Sequence, residues 1–215
     1  MNPQKFDDEQ RKREVDEYVQ MRQSLARFEV VQSEWEWTGG VDFDAVFPHE
    51  CYKQALLYSL GSTRHGHTLV HGTTSLDLGG HAWVELPGEI VFDGVFQRFY
   101  RRDAYYGDMA SAIPWYMYDG AAVLFLARHF KHDPGSWSTM LDLPTIADRP
   151  PINISLEYAK ELLDAYYVRS GEVVLKKLSK EVLLGLAKRR EIEATRSTTK
   201  TDLITLILQS RKSVT

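Results

Sequence analysis

A single cysteine, Cys51, stands in 215 residues. That scarcity excludes an intrachain disulfide framework and any cysteine-rich zinc site. Long apolar runs are also missing. The longest, Ala121-Ala122-Val123-Leu124-Phe125-Leu126-Ala127, is far too short to span a bilayer. The first nine residues, Met1-Asn2-Pro3-Gln4-Lys5-Phe6-Asp7-Asp8-Glu9, lack the apolar stretch of a signal peptide. These absences give the expectation of no membrane partner and a reducing, cytoplasmic setting. Low-complexity tracts and internal repeats are absent too. What is present is an apolar fraction of 43% with 12% aromatics, enough to build a core and to argue against disorder.

Charge is unevenly spread. Residues 173–215 hold ten Lys/Arg against four Asp/Glu, a net of +6; with −4 overall, residues 1–172 carry −10. A basic C-terminal segment on an acidic body suggests a partner-binding module, with a solvated helical face as the plain alternative.

The hydrophobic pattern divides the chain into four parts. Residues 1–40 are a helical extension, with a charged helix over 7–31 whose apolar positions recur at three- and four-residue spacing. Gly39-Gly40 ends it. Residues 41–141 are the main domain. There, Pro48 and Gly61 bracket a helix that carries Cys51 in its first turn. Strands are expected over 68–76, 81–86 and 90–96, the last two joined as a hairpin by Pro87-Gly88. Residues 99–118 fit neither pattern cleanly, because Pro114 interrupts them. A buried helix is expected over 119–131, ended by Asp133-Pro134-Gly135. Residues 142–172 are a proline-bearing linker and a helix from about Ser155, and residues 173–215 are a basic helix–linker–helix. The fold class is α+β.

Cys51, His81 and Asp93 form the constellation that carries chemistry. A thiol at a helix N-terminus faces free backbone amides, which favour the thiolate and can hold an oxyanion. An imidazole takes and returns the proton, and a carboxylate on its other nitrogen fixes the tautomer. Strand alternation makes this conditional. With a two-residue loop at Pro87-Gly88, Asp93 would face away from His81; with Pro87-Gly88-Glu89 as the loop, Trp83 pairs with Asp93, and His81 shares its face. Individually each residue is as well explained by packing: a buried thiol, a strand histidine and a turn-flanking acid.

The order Cys51-Tyr52-Lys53-Gln54-Ala55, Leu69-Val70-His71-Gly72, His81-Ala82-Trp83-Val84-Glu85 and Val91-Phe92-Asp93 resembles the papain-like, transglutaminase-like cysteine fold, in its small bacterial and phage-type members. The resemblance spans about residues 45–137 and includes Tyr118-Asp119-Gly120-Ala121-Ala122 and Pro134-Gly135-Ser136-Trp137. It implies Cys51 as nucleophile, His81 as general base and acid, Asp93 as orienting acid, and a peptide-like or amide substrate with no cofactor. Gln54, one turn beyond Cys51, is a candidate amide donor, and Trp83 a candidate roof of the pocket. Gln54 stands where many relatives carry Asn, and Asp93-Gly94-Val95 where many carry Asp-Pro-Thr. The rival expectation is a non-catalytic binding or scaffold protein on the same fold. For a phage-type member, the location becomes host cytoplasm or virion.

His65, His67, His71 and His81 crowd one stretch, but no thiol or carboxylate at ligand spacing completes a set, and no metal is expected. His71-Gly72-Thr73 is similar to a short element of one ADP-ribosyltransferase class, without a phosphate-cradling loop nearby. In the C-terminal segment, helices about 178–187 and 200–208 flank a polar linker. That pattern resembles SAP-type and Rho-N-like nucleic-acid-binding modules, which implies phosphate contacts from Lys188, Arg189, Arg190, Arg196 and Lys200. A helical hairpin that docks on protein is the alternative.

Overall fold

The computed structural model describes residues 3–30, 41–61, 66–76, 79–130, 137, 141, 143 and 150–210. Gly39-Gly40, His65, Asp133-Pro134-Gly135 and most of 142–149 lie outside the described residues. The chain divides into two units. The first comprises residues 1–137 and 144–157, the second 138–143 and 158–215.

The first unit is mixed α and β around one six-stranded sheet. Helix α1 (Pro3–Leu25) gives way to a 3-10 turn at Ala26–Phe28, so the regular helix stops short of the expected 31. Helix α2 spans Cys51–Gly61. The strands are β1 (Thr68–Thr73), β2 (Gly80–Leu86), β3 (Ile90–Asp93), β4 (Arg98–Arg101), β5 (Ile113–Asp119) and β6 (Ile152–Ile154). Between β4 and β5 come a helical turn, α3 (Arg102–Ala104), and a π-helical turn at Tyr105–Met109. Helix α4 (Gly120–His129) follows β5 directly, and the Asp119 carboxylate caps it by accepting from the Ala122 N–H.

Strand order is β4-β3-β2-β1-β5-β6, antiparallel except for the parallel β5/β6 pair. Strand β1 is therefore interior, and both faces of β2 are buried from His81 to Leu86. Helix α2 packs against β2, with further contacts to β1, β3 and α4. One cluster of buried side chains holds Trp83, Val91, Phe96, Tyr100 and Tyr105, and Cys51 belongs to it.

Three strands, β4, β5 and β6, arise where the sequence pattern was silent. The pairing of β1 with β5 shifts between His71 and Gly72, whose partners are Tyr116 and Pro114; Trp115 is the extra residue. Strand β6 pairs only with Tyr116–Tyr118, so at Pro114 strand β5 has a neighbour on one side. A proline is tolerated there because one side makes no demand on its missing N–H. Gly72 is required opposite it: a Cβ would sit 2.1 Å from the Ile113 carbonyl oxygen and 2.7 Å from Trp83 Cη2. The expected strand at 90–96 ends at Asp93, because a turn there returns the chain into β4. Residues 152–154 join the sheet as β6 rather than serving as linker.

The second unit is helical. Helix α5 (Leu156–Ser170) begins in the first unit and runs on in the second; short α6 (Glu172–Leu175), α7 (Lys180–Arg189) and α8 (Lys200–Gln209) follow. Ser179 caps α7 through the Val182 N–H, and Thr199 caps α8 through the Asp202 N–H. Leu183, Leu186 and Ala187 of α7 are buried, as are Leu203, Ile204 and Ile207 of α8. None of the described helices is long and apolar enough to cross a membrane.

Candidate active site

Cys51 is the first residue of α2. The helix opens with Gln54 N–H donating to the Glu50 carbonyl, so the Cys51 amide lies at the open N-terminal end. Pro48 lies outside the helix, because His49 has φ of 62° and breaks any helical lead-in. The segment ahead of Cys51 is fixed from several sides. Phe47 N–H donates to the Val95 carbonyl, Asp42 N–H to Gln97 Oε1, and Arg22 donates to the carbonyls of Phe43 and Ala45. Buried Gln97 also donates to the Gly94 carbonyl at 2.6 Å. It thereby ties the loop before the thiol to the turn after Asp93. Gly94 lets α2 approach that turn: a Cβ there would lie 2.5 Å from Gln54 Cβ and 3.0 Å from the Ala55 amide nitrogen.

The hairpin has the three-residue loop. Leu86 pairs with Ile90, Glu85 with Val91 and Val84 with Phe92, leaving Pro87-Gly88-Glu89 in the turn. Gly88 and Glu89 both have positive φ, 83° and 60°. Continued one step, this register sets Trp83 opposite Asp93 and turns His81 and Asp93 to one face. His81 Nε2 lies 3.1 Å from Asp93 Oδ2. Asp93 Oδ1 accepts the Val95 N–H at 2.9 Å, and Oδ2 also accepts the Tyr105 hydroxyl at 2.7 Å. With Nε2 engaged, Nδ1 is the ring nitrogen left for the thiol. Nδ1 is buried without a hydrogen-bond partner among the described residues, and the Cys51 sulfur rests 3.8 Å from the Gly80 carbonyl oxygen. Thiol and ring are neighbours, and the Cys51 sulfur is one of the groups that act on His81.

All three side chains are buried, with relative exposures of 4% for Cys51, 2% for His81 and 0% for Asp93. Burial by itself would lower the basicity of His81. The Asp93 carboxylate, through charge and hydrogen bond, outweighs it together with the Cys51 sulfur, and the imidazole is pushed up to about 10. Burial would raise Asp93, but His81, Tyr105 and the Val95 amide hold it below the usual carboxylate range. His71 has the opposite fate. It sits among Tyr52, Tyr118 and Trp137, and burial lowers it to about 3.

These shifts predict a dome in stability against pH. His71 depresses stability below about 6.5, where the unfolded chain takes up a proton that the folded one refuses. Asp93 adds to that limb, its contribution fading as pH falls through its lowered value. His81 contributes fully below about 6.5, and the contribution is lost as pH rises toward its raised value. Each histidine sets a limiting slope of about 1.4 kcal/mol per pH unit on its own side. Denaturant unfolding at several pH values checks this. His81→Phe should flatten the alkaline limb and His71→Phe the acid one.

Gln54 and Trp83 are placed differently from the sequence expectation. The Gln54 amide nitrogen donates to Glu50 Oε2 at 2.8 Å, beside Lys53 on the same oxygen. It is turned to the N-cap residue rather than toward the sulfur. Trp83 is fully buried between His81 and Tyr105, at ring-centroid distances of 6.3 and 5.7 Å. It is a floor under the imidazole, not a roof over a pocket. Gln97 and Tyr105 were not foreseen. Gln97, a polar residue set among Phe96, Arg98 and Phe99, was the one available signal; nothing singled out Tyr105 among eleven tyrosines.

The three described histidines of the crowded stretch have separate surroundings. His67 packs against Gly120, His71 lies among aromatic rings, and His81 meets Asp93. In the second unit, Arg189 gives both Nε and Nη2 to the Asp164 carboxylate, at 2.6 and 2.7 Å, which removes it from the group of cations open to a phosphate. Arg190 donates to Ser210, and the Lys200 ammonium to the Lys176 carbonyl. Lys188 and Arg196 are exposed. Compared with known protein families, curated proteins and solved structures, the chain has no significant match.

Proposed function

We propose that the protein is a thiol-nucleophile enzyme of acyl chemistry, acting on an amide or similar bond through Cys51, on a papain-like or transglutaminase-like core. The observation that carries this reading is the buried His81–Asp93 pair, 3.1 Å apart, beside a thiol at a helix N-terminus. Cys51 passes its proton to His81 Nδ1 ahead of attack, in keeping with the raised basicity of the ring, and the thiolate then attacks the carbonyl carbon. The new carbon–sulfur bond places negative charge on the carbonyl oxygen, and the Cys51 amide at the helix end is the donor available to it. Collapse breaks the bond to the leaving amine, which takes the proton from His81. A thioester on Cys51 remains. Water or an acyl acceptor, deprotonated by the same imidazole, releases the acid or transfers the acyl group. Asp93 holds the ring with Nε2 protonated throughout.

The test uses p-nitrophenyl acetate as acyl donor. The expected result is p-nitrophenol release in a burst and an acetyl group located on Cys51 by mass spectrometry, with neither seen in Cys51→Ala. Acetylation confined to lysines would contradict the reading.

For the second unit we propose backbone binding of nucleic acid by α7, α8 and their linker, favoured by the +6 net charge of residues 173–215 and the exposure of Lys188 and Arg196. Affinity of the whole chain for a DNA duplex, measured by fluorescence anisotropy, should fall roughly 40-fold between about 50 and 200 mM salt if three phosphates are contacted. Lys188→Glu with Arg196→Glu should abolish it. No binding at the lower salt would remove this proposal.

A further inference from the structure

Asp93 has more donors than a pairing with His81 requires. Its Oδ2 receives His81 Nε2 at 3.1 Å and, from another direction, the Tyr105 hydroxyl at 2.7 Å. Tyr105 is wholly buried and opens the π-helical turn between β4 and β5. Its ring is held by Trp83, Tyr100 and Tyr106, at centroid distances of 5.7, 6.1 and 6.5 Å. Trp83 in turn lies against the His81 ring. One aromatic stack therefore fixes both donors to a single carboxylate oxygen.

We propose that Tyr105 is a positioning residue of this site: its hydroxyl shares Asp93 Oδ2 with His81 and so sets how strongly Asp93 holds the imidazole. The inference rests on the reading of Cys51 and His81 as nucleophile and base. A donor on a carboxylate oxygen draws off charge that would otherwise be offered to the imidazolium. Tyr105 moderates the pair; without it Asp93 would grip the ring more tightly and release its proton less readily. Burial and then the Asp93 charge hold the Tyr105 phenol well above its ordinary range, so it remains a neutral donor across the working range of pH. The titratable groups that face the pair are Cys51 from α2, Tyr100 from β4 and Tyr105 from the turn. Arg98, Arg22 and Glu29 act on Tyr100, and Tyr106 is turned to Glu85.

Tyr100 supplies an internal control. It is buried in the same cluster and near Asp93, but its hydroxyl has no hydrogen-bond partner among the described residues. The experiment is an NMR titration of the His81 imidazole in histidine-labelled full-length protein, with His81→Ala used for assignment. Tyr105→Phe should raise the His81 midpoint by about half a pH unit or more. Tyr100→Phe should leave it in place. If Tyr105→Phe does not fold, 3-fluorotyrosine at position 105 keeps the shape with a stronger donor and should move the midpoint down. An unmoved midpoint with either change at 105, or an equal shift in Tyr100→Phe, would overturn the proposal. Failure of the nucleophile reading would show elsewhere, as a Cys51 alkylation rate indifferent to His81→Ala, and would take this inference with it.

Discussion

His81→Ala lowers the rate at which iodoacetamide alkylates Cys51 near pH 7 by about 100-fold or more. That is the expected result if His81 is the base for this thiol, because a positioned base contributes about two to four orders of magnitude. The substitution leaves α2 and its helix N-terminus intact, and it removes the imidazole that the structure sets beside Asp93. His71 is a matched control on the neighbouring strand. It is equally buried, is surrounded by aromatic rings, and belongs to no such pair. His71→Phe should therefore change the alkylation rate less than threefold or so, on the scale of a packing change. A rate in His81→Ala within threefold of the unsubstituted protein would leave Cys51 as a structural thiol and favour the binding or scaffold reading of this fold.

Asp93→Ala destabilises the fold by about 3–5 kcal/mol at pH 7, the range for breaking one side of a buried ion pair. The effect is large because three donors lose their acceptor together: His81 Nε2, the Tyr105 hydroxyl and the Val95 amide. The stranded imidazole would also be held away from water, since both side chains are buried. Part of the loss belongs to the pair rather than to Asp93. The double variant Asp93→Ala with His81→Ala should be more stable than the two single effects added together, by about 1 kcal/mol or more. Guanidinium unfolding of the four proteins measures this. A loss below about 1 kcal/mol in Asp93→Ala would mean that the pair is not formed in solution.

Much of this site could be read from the chain because it rests on local signals. Pro48 and Gly61 placed a helix with Cys51 in its first turn, and the helix starts at Cys51 itself. Pro87-Gly88 placed the hairpin, and strand alternation showed that an odd-length loop or a one-residue bulge was needed to put His81 and Asp93 on one face. Glu89 makes the loop odd by adopting a positive φ, a conformation for which its identity gives no cue. The less legible parts depend on long-range pairing. Strand β5 was hidden by Pro114, whose tolerance depends on β6 starting its pairing two residues further along. Strand β6 was hidden in a proline-bearing stretch, because three residues are too few for a pattern. Tyr105 was invisible for the same reason that it matters: a π turn brings it to Asp93 from twelve residues away. The capture of Arg189 by Asp164 spans 25 residues and separates a committed cation from neighbours of the same charge.

The most direct measurement compares the alkylation rate of Cys51 in the folded protein with the rate for the same chain unfolded in urea, at about pH 6, where an ordinary thiol is almost wholly protonated and slow. Cys51 is nearly inaccessible in the fold. A merely packed thiol would react more slowly folded than unfolded. The account predicts the reverse, a folded-state rate above the unfolded one despite the burial, abolished in His81→Ala. A folded-state rate below the unfolded one would contradict it.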